Sequence, residues 1–406
     1  MKTKDLWTMA FLSLVLLWIS SVRATDSERP ALKDVYKDYF LIGGAFNRRL
    51  VTGRDPNAAA IAEKQFNTAT AENDMKWQSI HPEPNRYNWE PADRFVEFAE
   101  KNNMVVIGHT LVWHSQTPNW VFAGTSPTTS PNATPNADDA NTPRFGRRRG
   151  RGFRGPYANR EELLQRMRDH IHTVVGRYKG RVKGWDVVNE ALDEDGSLRD
   201  EPRGPWMRII SEGSEDKQYD FIENAFRWAH EADPNAELYY NDYSLSTSRA
   251  KCDGAVAIVK HLQSKGVRID GVGMQLHAGL TWPEPNDLEY AITTLAATGV
   301  KVMVTELDIR TSRSGYRGAD IRRVNRQSTD DSEADATEIQ KQLAEKYAEI
   351  FSVLIKHKKD ITRVTFWGVY DGTSWIRWSG SPLLFDQNYQ PKQAFDAVIN
   401  IVRSEK

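Results

Sequence analysis

From about position 31 the chain alternates short runs of β-branched and aromatic residues with longer stretches whose apolar residues recur every three or four positions. The short runs, punctuated by glycine, read as buried strands, and the longer ones as helices with one apolar face. Strands are expected at residues 39–46, 66–73, 104–113, 182–191, 237–243, 271–277, 300–309 and 361–370, with helices near 160–178, 219–231, 249–265 and 337–358. Eight strands alternating with helices predict an α/β fold, a (β/α)8 TIM barrel whose functional groups gather at the carboxyl ends of the strands. Such a barrel is one domain even in a chain of 406 residues. Residues 39–406 are therefore expected to form a single domain, with residues 25–38 a linker and the start of it.

Two of these strands end in glutamate. The run VKGWDVVNEA at 182–191 places Asn189 and Glu190 after buried β-branched positions, and VKVMVTELDI at 300–309 carries Glu306 in the same way. Either one alone reads equally as a strand followed by a solvated loop, because most glutamates after strands lie on the surface. As a pair they supply what glycoside hydrolysis requires, one carboxyl protonated to donate to the leaving oxygen and one ionised as nucleophile or base. Around and between these stretches, from about Leu32 to the C-terminus, the chain resembles the family-10 glycoside hydrolases, the endo-β-1,4-xylanases.

The resemblance implies a role for each motif it covers. Glu190 would be the acid/base, its pKa raised by the negative partner across the cleft, and Glu306 the nucleophile of a retaining double displacement. Gln275 and His277, in GVGMQLH, match residues that hydrogen-bond the nucleophile and keep it ionised. Asn189 would hold the sugar 2-hydroxyl. Glu72, Asn73 and Lys76, in ENDMKW, would bind the glycone, and His109 and Trp113, in HTLVWHSQTPNW, the sugar at the cleavage point. A lone histidine is more often structural, so the case for His109 rests on the whole run; His114 and Trp120 receive no role. Asn241 and Tyr243, in LYYNDYS, lie at the next rim, where Tyr243 could stack on an aglycone sugar. Trp367 in TFWG and Trp375 in TSW match tryptophans that roof the cleavage subsite and crowd a hydroxymethyl group, which favours a pentose.

Composition narrows the alternatives. With 39% hydrophobic residues and a formal charge of −1 the chain can bury a core, and nothing in its balance points to nucleic acid or a membrane as a partner. The 13 tryptophans suit sugar faces and a core equally well. His, Cys and Asp do not cluster at metal-ligand spacing and no phosphate-binding glycine loop follows a strand, so neither metal nor cofactor is expected. Xylan and xylo-oligosaccharides are the expected ligands of a monomeric enzyme. A catalytically silent sugar-binding barrel and a barrel glucanase are the alternatives, and the presence of both glutamates favours an enzyme.

Residues 1–24 carry Lys2 and Lys4, an apolar run over 9–19 and a small residue at Ala24, the pattern of a signal peptide. The run is shorter than the roughly 20 residues a spanning helix needs, so cleavage and a secreted or periplasmic protein are expected rather than an anchor. The single cysteine, Cys252, offers no disulfide. Two segments depart from the family pattern. Residues 124–157 are rich in Thr, Pro, Asn and Gly, contain RFGRRRGRGFRG at 144–155 and hold a glycosylation sequon at 132–134. Residues 311–335 are highly charged. Both are expected at the catalytic rim, the first as a solvated loop or as an arginine-rich attractor of acidic polymers.

Overall fold

Gly108 and Trp185 fix the middle of the sheet. A Cβ on Gly108 would lie 2.1 Å from Trp185 Cε3, so only glycine leaves room for an indole that is fully buried. The two residues sit opposite each other in the parallel pairing of neighbouring strands, where the small position sets the register of the large one. Overpacking a site of this kind costs about 1–3 kcal/mol or more.

The computed structural model describes residues 29–124, 156–200, 205–311, 333–377 and 380–404. The signal-peptide expectation, the sequon, the arginine run and nearly all of the 311–335 segment lie outside the described residues. From Ala31 the chain forms one compact unit. Its strands are β1 (Leu41–Phe46), β2 (Thr68–Ala71), β3 (Val105–Trp113), β4 (Gly184–Asn189), β5 (Glu237–Asp242), β6 (Gly271–Met274), β7 (His277–Gly279), β8 (Lys301–Arg310) and β9 (Ile361–Phe366). All pairings are parallel, and β6–β8 and β1–β9 close the sheet into an eight-stranded barrel in which β7 is a short extra piece on the end of β8. Ile107, Tyr239 and Met303, from β3, β5 and β8, form a separate apolar cluster. They come from alternate barrel strands, as a layer inside the barrel should.

The (β/α)8 expectation is met, with one correction. The run expected at 271–277 is two strands, because Leu276 takes a left-handed backbone with φ 59° and interrupts the ladder. The helices Arg160–Arg177, Asp220–Ala232, Arg249–Ser264 and Glu333–Lys356 stand where the periodicity placed them. The first is capped reciprocally, with the Asn159 side chain on the Glu162 N–H and the Glu162 carboxylate on the Asn159 N–H. Pro56–Gln65, Glu90–Lys101, Pro285–Ala296 and Gln393–Ser404 complete the outer layer.

The first insertion leaves the barrel on a closed stem. Ala123 and Tyr157 form a bridge, and the Gly124 N–H donates to the Pro156 carbonyl over 2.7 Å. That stem follows β3, at the carboxyl rim. Among the described residues, no helix is long and apolar enough to cross a membrane.

Candidate active site

The carboxyl ends of β4 and β8 bring the two glutamates to one rim. Glu190 follows the last residue of β4 with a left-handed φ of 58°, and its N–H donates to the Asn241 carbonyl at 2.8 Å. Such a backbone strains a non-glycine residue and is typical of functional turns. Its Oε1 accepts from Gln275 Nε2 at 2.9 Å and its Oε2 from Trp113 Nε1 at 2.9 Å, with His114 Nε2 3.9 Å from Oε2. Glu306 Oε1 accepts from Asn241 Nδ2 at 2.9 Å, and His277 Nε2 lies 3.3 Å from Oε2.

The Gln275 carbonyl accepts the Glu306 N–H at 2.9 Å, but its side-chain amide goes to Glu190 rather than to the Glu306 carboxylate as the family pattern implied; Asn241 takes that place. The left-handed Leu276 is the physical reason. In an unbroken strand the side chains of 275 and 277 would share a face, whereas here Gln275 reaches to Glu190 and His277, the first residue of β7, lies beside Asp308 of β8.

His277 is held between two carboxylates. Its Nδ1 lies 2.9 Å from Asp308 Oδ1, opposite the Glu306 contact, and Asp308 also accepts from Trp375 Nε1 at 2.6 Å. Burial would lower the imidazole pKa, but Asp308 and Glu306 overcome it and raise the pKa to about 10. An imidazolium donating from both ring nitrogens therefore lies against Glu306 at neutral pH. Glu190 corrects an expectation. Burial, the largest influence, raises its pKa, yet His114, Gln275, Trp113 and Lys251 together hold it below the ordinary carboxylate range in the free site.

Lys76 organises the glycone side. Its Nζ donates to Asn73 Oδ1 at 3.1 Å and Gln116 Oε1 at 2.9 Å, and lies 5.0 Å from the Trp113 ring centre and 5.8 Å from that of Trp367. Burial lowers its pKa against the pull of Glu306, Glu72 and Glu190. Asn73 Nδ2 donates to Glu72 Oε1 at 3.3 Å, and burial leaves the Glu72 carboxyl above its ordinary range. His109 packs edge-on against Trp367 and pairs through Nδ1 with Asp186 Oδ2 at 3.0 Å. Asn189 accepts from Asn241 Nδ2 at 2.8 Å.

Glu72, Asn73, Lys76, His109, Trp113, Asn189, Gln275, His277, Trp367 and Trp375 are therefore linked to the two glutamates, directly or through one another, by hydrogen bonds and ring contacts. Tyr243 is placed differently. Lys251 Nζ stands 3.2 Å over its ring centre and Arg199 Nη2 donates to its hydroxyl at 3.1 Å, so one face is closed to a sugar. Half-buried Trp120 packs edge-on against Trp77 and His81. Asp186, Asp308 and Gln116 join the site without having been expected from the motifs. Asp308 carried a signal, since it lies two residues after Glu306 and so on the same strand face. Among the described residues no group of acidic, His and Cys side chains could hold a metal ion.

Comparison with known proteins agrees with this geometry. The family model described as glycosyl hydrolase family 10 matches residues 31–401. A β-1,4-xylanase of Dictyoglomus thermophilum is 39% identical over 97% of this chain and 98% of its own, and endo-1,4-beta-xylanase A of Xylanibacter ruminicola is 38% identical over the same shares. Among solved structures, a GH10 endoxylanase retrieved from a sugarcane soil metagenome superposes with a TM-score of 0.76 at 37% identity, covering 92% of this chain and 100% of that one. An intracellular xylanase of Thermoanaerobacterium saccharolyticum, solved as a variant with xylotriose, gives 0.74 at 34% identity, covering 91% and 98%. A match across nearly the whole barrel, by sequence and by structure, places the chain in a family, and it belongs to glycosyl hydrolase family 10.

Proposed function

We propose that this protein is an endo-1,4-β-xylanase that cleaves internal β-1,4-xylosidic bonds with retention, using Glu306 as nucleophile and Glu190 as acid/base. The unequal surroundings of the two carboxyls carry the reading. Glu306 is held in place by the His277 imidazole and the Asn241 amide, whereas Glu190 rests under the Gln275 amide and the Trp113 indole, donors that sugar hydroxyls can engage instead. Glu306 attacks the anomeric carbon while Glu190 gives its proton to the glycosidic oxygen. Glu190 then takes a proton from the water that releases the sugar from Glu306. Asn189 holds the 2-hydroxyl, whose hydrogen bond strengthens as positive charge develops on the ring. Trp367 and Trp375 roof the subsite and disfavour a hydroxymethyl group.

The ligands on this reading are polymeric xylan and its oligosaccharides, bound by a monomer without cofactor. The charged-then-apolar pattern of residues 1–24 supports an exported, secreted or periplasmic enzyme. Reducing-sugar release from xylan with little from carboxymethyl cellulose is expected, and proton NMR of early xylo-oligosaccharide hydrolysis should reveal the β-anomer before mutarotation produces the α-anomer. An α-first product would make Glu306 a base acting on water, and release from cellulose alone would make the barrel a glucanase.

The depressed proton affinity of Glu190 in the free site has a kinetic consequence. Substrate draws Gln275 and Trp113 into contacts with sugar and excludes water, so burial then dominates and the carboxyl binds its proton more tightly. The alkaline limb of kcat/KM, which reports the free enzyme, is expected at lower pH than the alkaline limb of kcat, which reports the complex. Coincident limbs in the two pH profiles would contradict this.

A further inference from the structure

Lys251 breaks two local rules. It occupies the first turn of the helix Arg249–Ser264, where its N–H donates to the capping Ser248 side chain, and a cation there opposes the positive end of the helix dipole. Its side chain is also fully buried, a costly place for an ammonium unless the charge is matched. The match is Asp242, likewise fully buried, whose Oδ1 lies 2.9 Å from Lys251 Nζ. Violations of this kind concentrate where function demands them.

What Asp242 does with its remaining valences connects the pair to the reaction. Its Oδ1 also accepts the Tyr243 N–H at 2.9 Å, and its Oδ2 accepts the Tyr240 hydroxyl and, at 3.4 Å, the Leu192 N–H. The Tyr240 hydroxyl oxygen in turn accepts the Ala191 N–H at 3.2 Å. The two peptide N–H groups directly after Glu190 are thereby gripped from beneath. On the other side Arg199 donates from Nε to the Glu190 carbonyl at 3.0 Å and from Nη2 to the Leu192 carbonyl at 2.6 Å. The helix is pressed close to this turn: a Cβ on Gly196 would lie 2.1 Å from the Ala250 carbonyl oxygen, and one on Gly254 2.3 Å from that of Gly196.

We infer that Lys251 is a positioning residue for proton donation, neutralising Asp242 so that Asp242 and Tyr240 hold the left-handed Glu190 turn with its carboxyl aimed at the leaving oxygen. The inference rests on the reading of Glu190 as the acid/base. Without Lys251, Asp242 is either an unpaired buried anion facing Glu190 or a protonated acid that grips the turn weakly. Both displace the carboxyl that must meet the glycosidic oxygen, and neither touches the attack by Glu306.

The test compares kcat/KM for aryl β-xylobiosides with a poor leaving group (phenol) and a good one (2,4-dinitrophenol), since only the former needs a proton at the transition state. Lys251→Met is expected to lower the phenyl substrate about tenfold or more and the dinitrophenyl substrate by less than about threefold. Lys251→Met combined with Asp242→Asn removes both charges but leaves only a neutral grip on the turn, and is expected to keep the same bias toward the poor leaving group. Should Lys251→Met alone not fold, Tyr240→Phe carries the same test, with a smaller loss and the same bias toward the poor leaving group. Equal losses on the two substrates, or none, in the variants that fold overturn the inference. Glu190→Ala, run alongside, separates the two readings. Bias in Glu190→Ala but not in Lys251→Met removes the role of Lys251 only, whereas no bias in Glu190→Ala removes the acid assignment on which it stands.

Discussion

Glu306→Ala is expected to lower turnover on xylan by about 10³-fold or more on every substrate, with the fold intact. No leaving group is good enough to replace a missing nucleophile, so dinitrophenyl and phenyl glycosides should fall together. Glu190→Ala should behave differently. On xylan its loss is of the same order, but on 2,4-dinitrophenyl xylobioside the sugar still reaches Glu306, because that leaving group departs without a proton. The covalent intermediate then accumulates, and azide, which needs no general base, releases it as the β-glycosyl azide. Neither side chain belongs to the apolar clusters, so circular dichroism and thermal melting should show a folded protein in each case. Rescue confined to the Glu306 variant would reverse the roles.

Much of this site is legible in the sequence, and the reason is the barrel itself. A closed parallel sheet confines chemistry to strand ends, so the polar residues that terminate buried runs, Asn189 with Glu190 and Glu306 within its β-branched strand, were legible as candidates. What was not legible depends on backbone turns that hydrophobic pattern does not encode. The left-handed Leu276 gives Gln275 to Glu190 and leaves Asn241 to Glu306. The proton affinity of Glu190 reflects His114 and Lys251, which arrive from the turn after β3 and from a helix distant in sequence. Lys251 itself reads in sequence as a solvated lysine at a helix start, and only the packing of Gly196 against that helix reveals it as buried. Asp186 and Asp308, acidic positions inside otherwise apolar strands, carried a signal that strand alternation could have used.

Removing the His277 imidazolium should have the second largest effect, with a signature in pH as well as in rate. His277→Gln takes from Glu306 a charge-assisted donor 3.3 Å away and removes the imidazole from Asp308, which keeps the Trp375 indole as a donor. Preorganised donors of this kind are worth about 10²–10³ in kcat, and here the loss should fall on good and poor leaving groups alike, because it concerns attack rather than departure. The stability effect has a definite sign. The folded pKa, about 10, lies above the ordinary histidine value of about 6.5. The protonated form is therefore favoured by folding, and its contribution is complete below pH ~6.5 and lost as pH rises toward about 10. Thermal melting of the parent protein should decline across that window, and the decline should be shallower in His277→Gln, with the two proteins closest at the alkaline end. A variant whose melting temperature stays a constant interval below the parent from pH 6 to pH 10 would show that His277 is neutral in the folded protein, and the double donation to Glu306 and Asp308 would have to be abandoned.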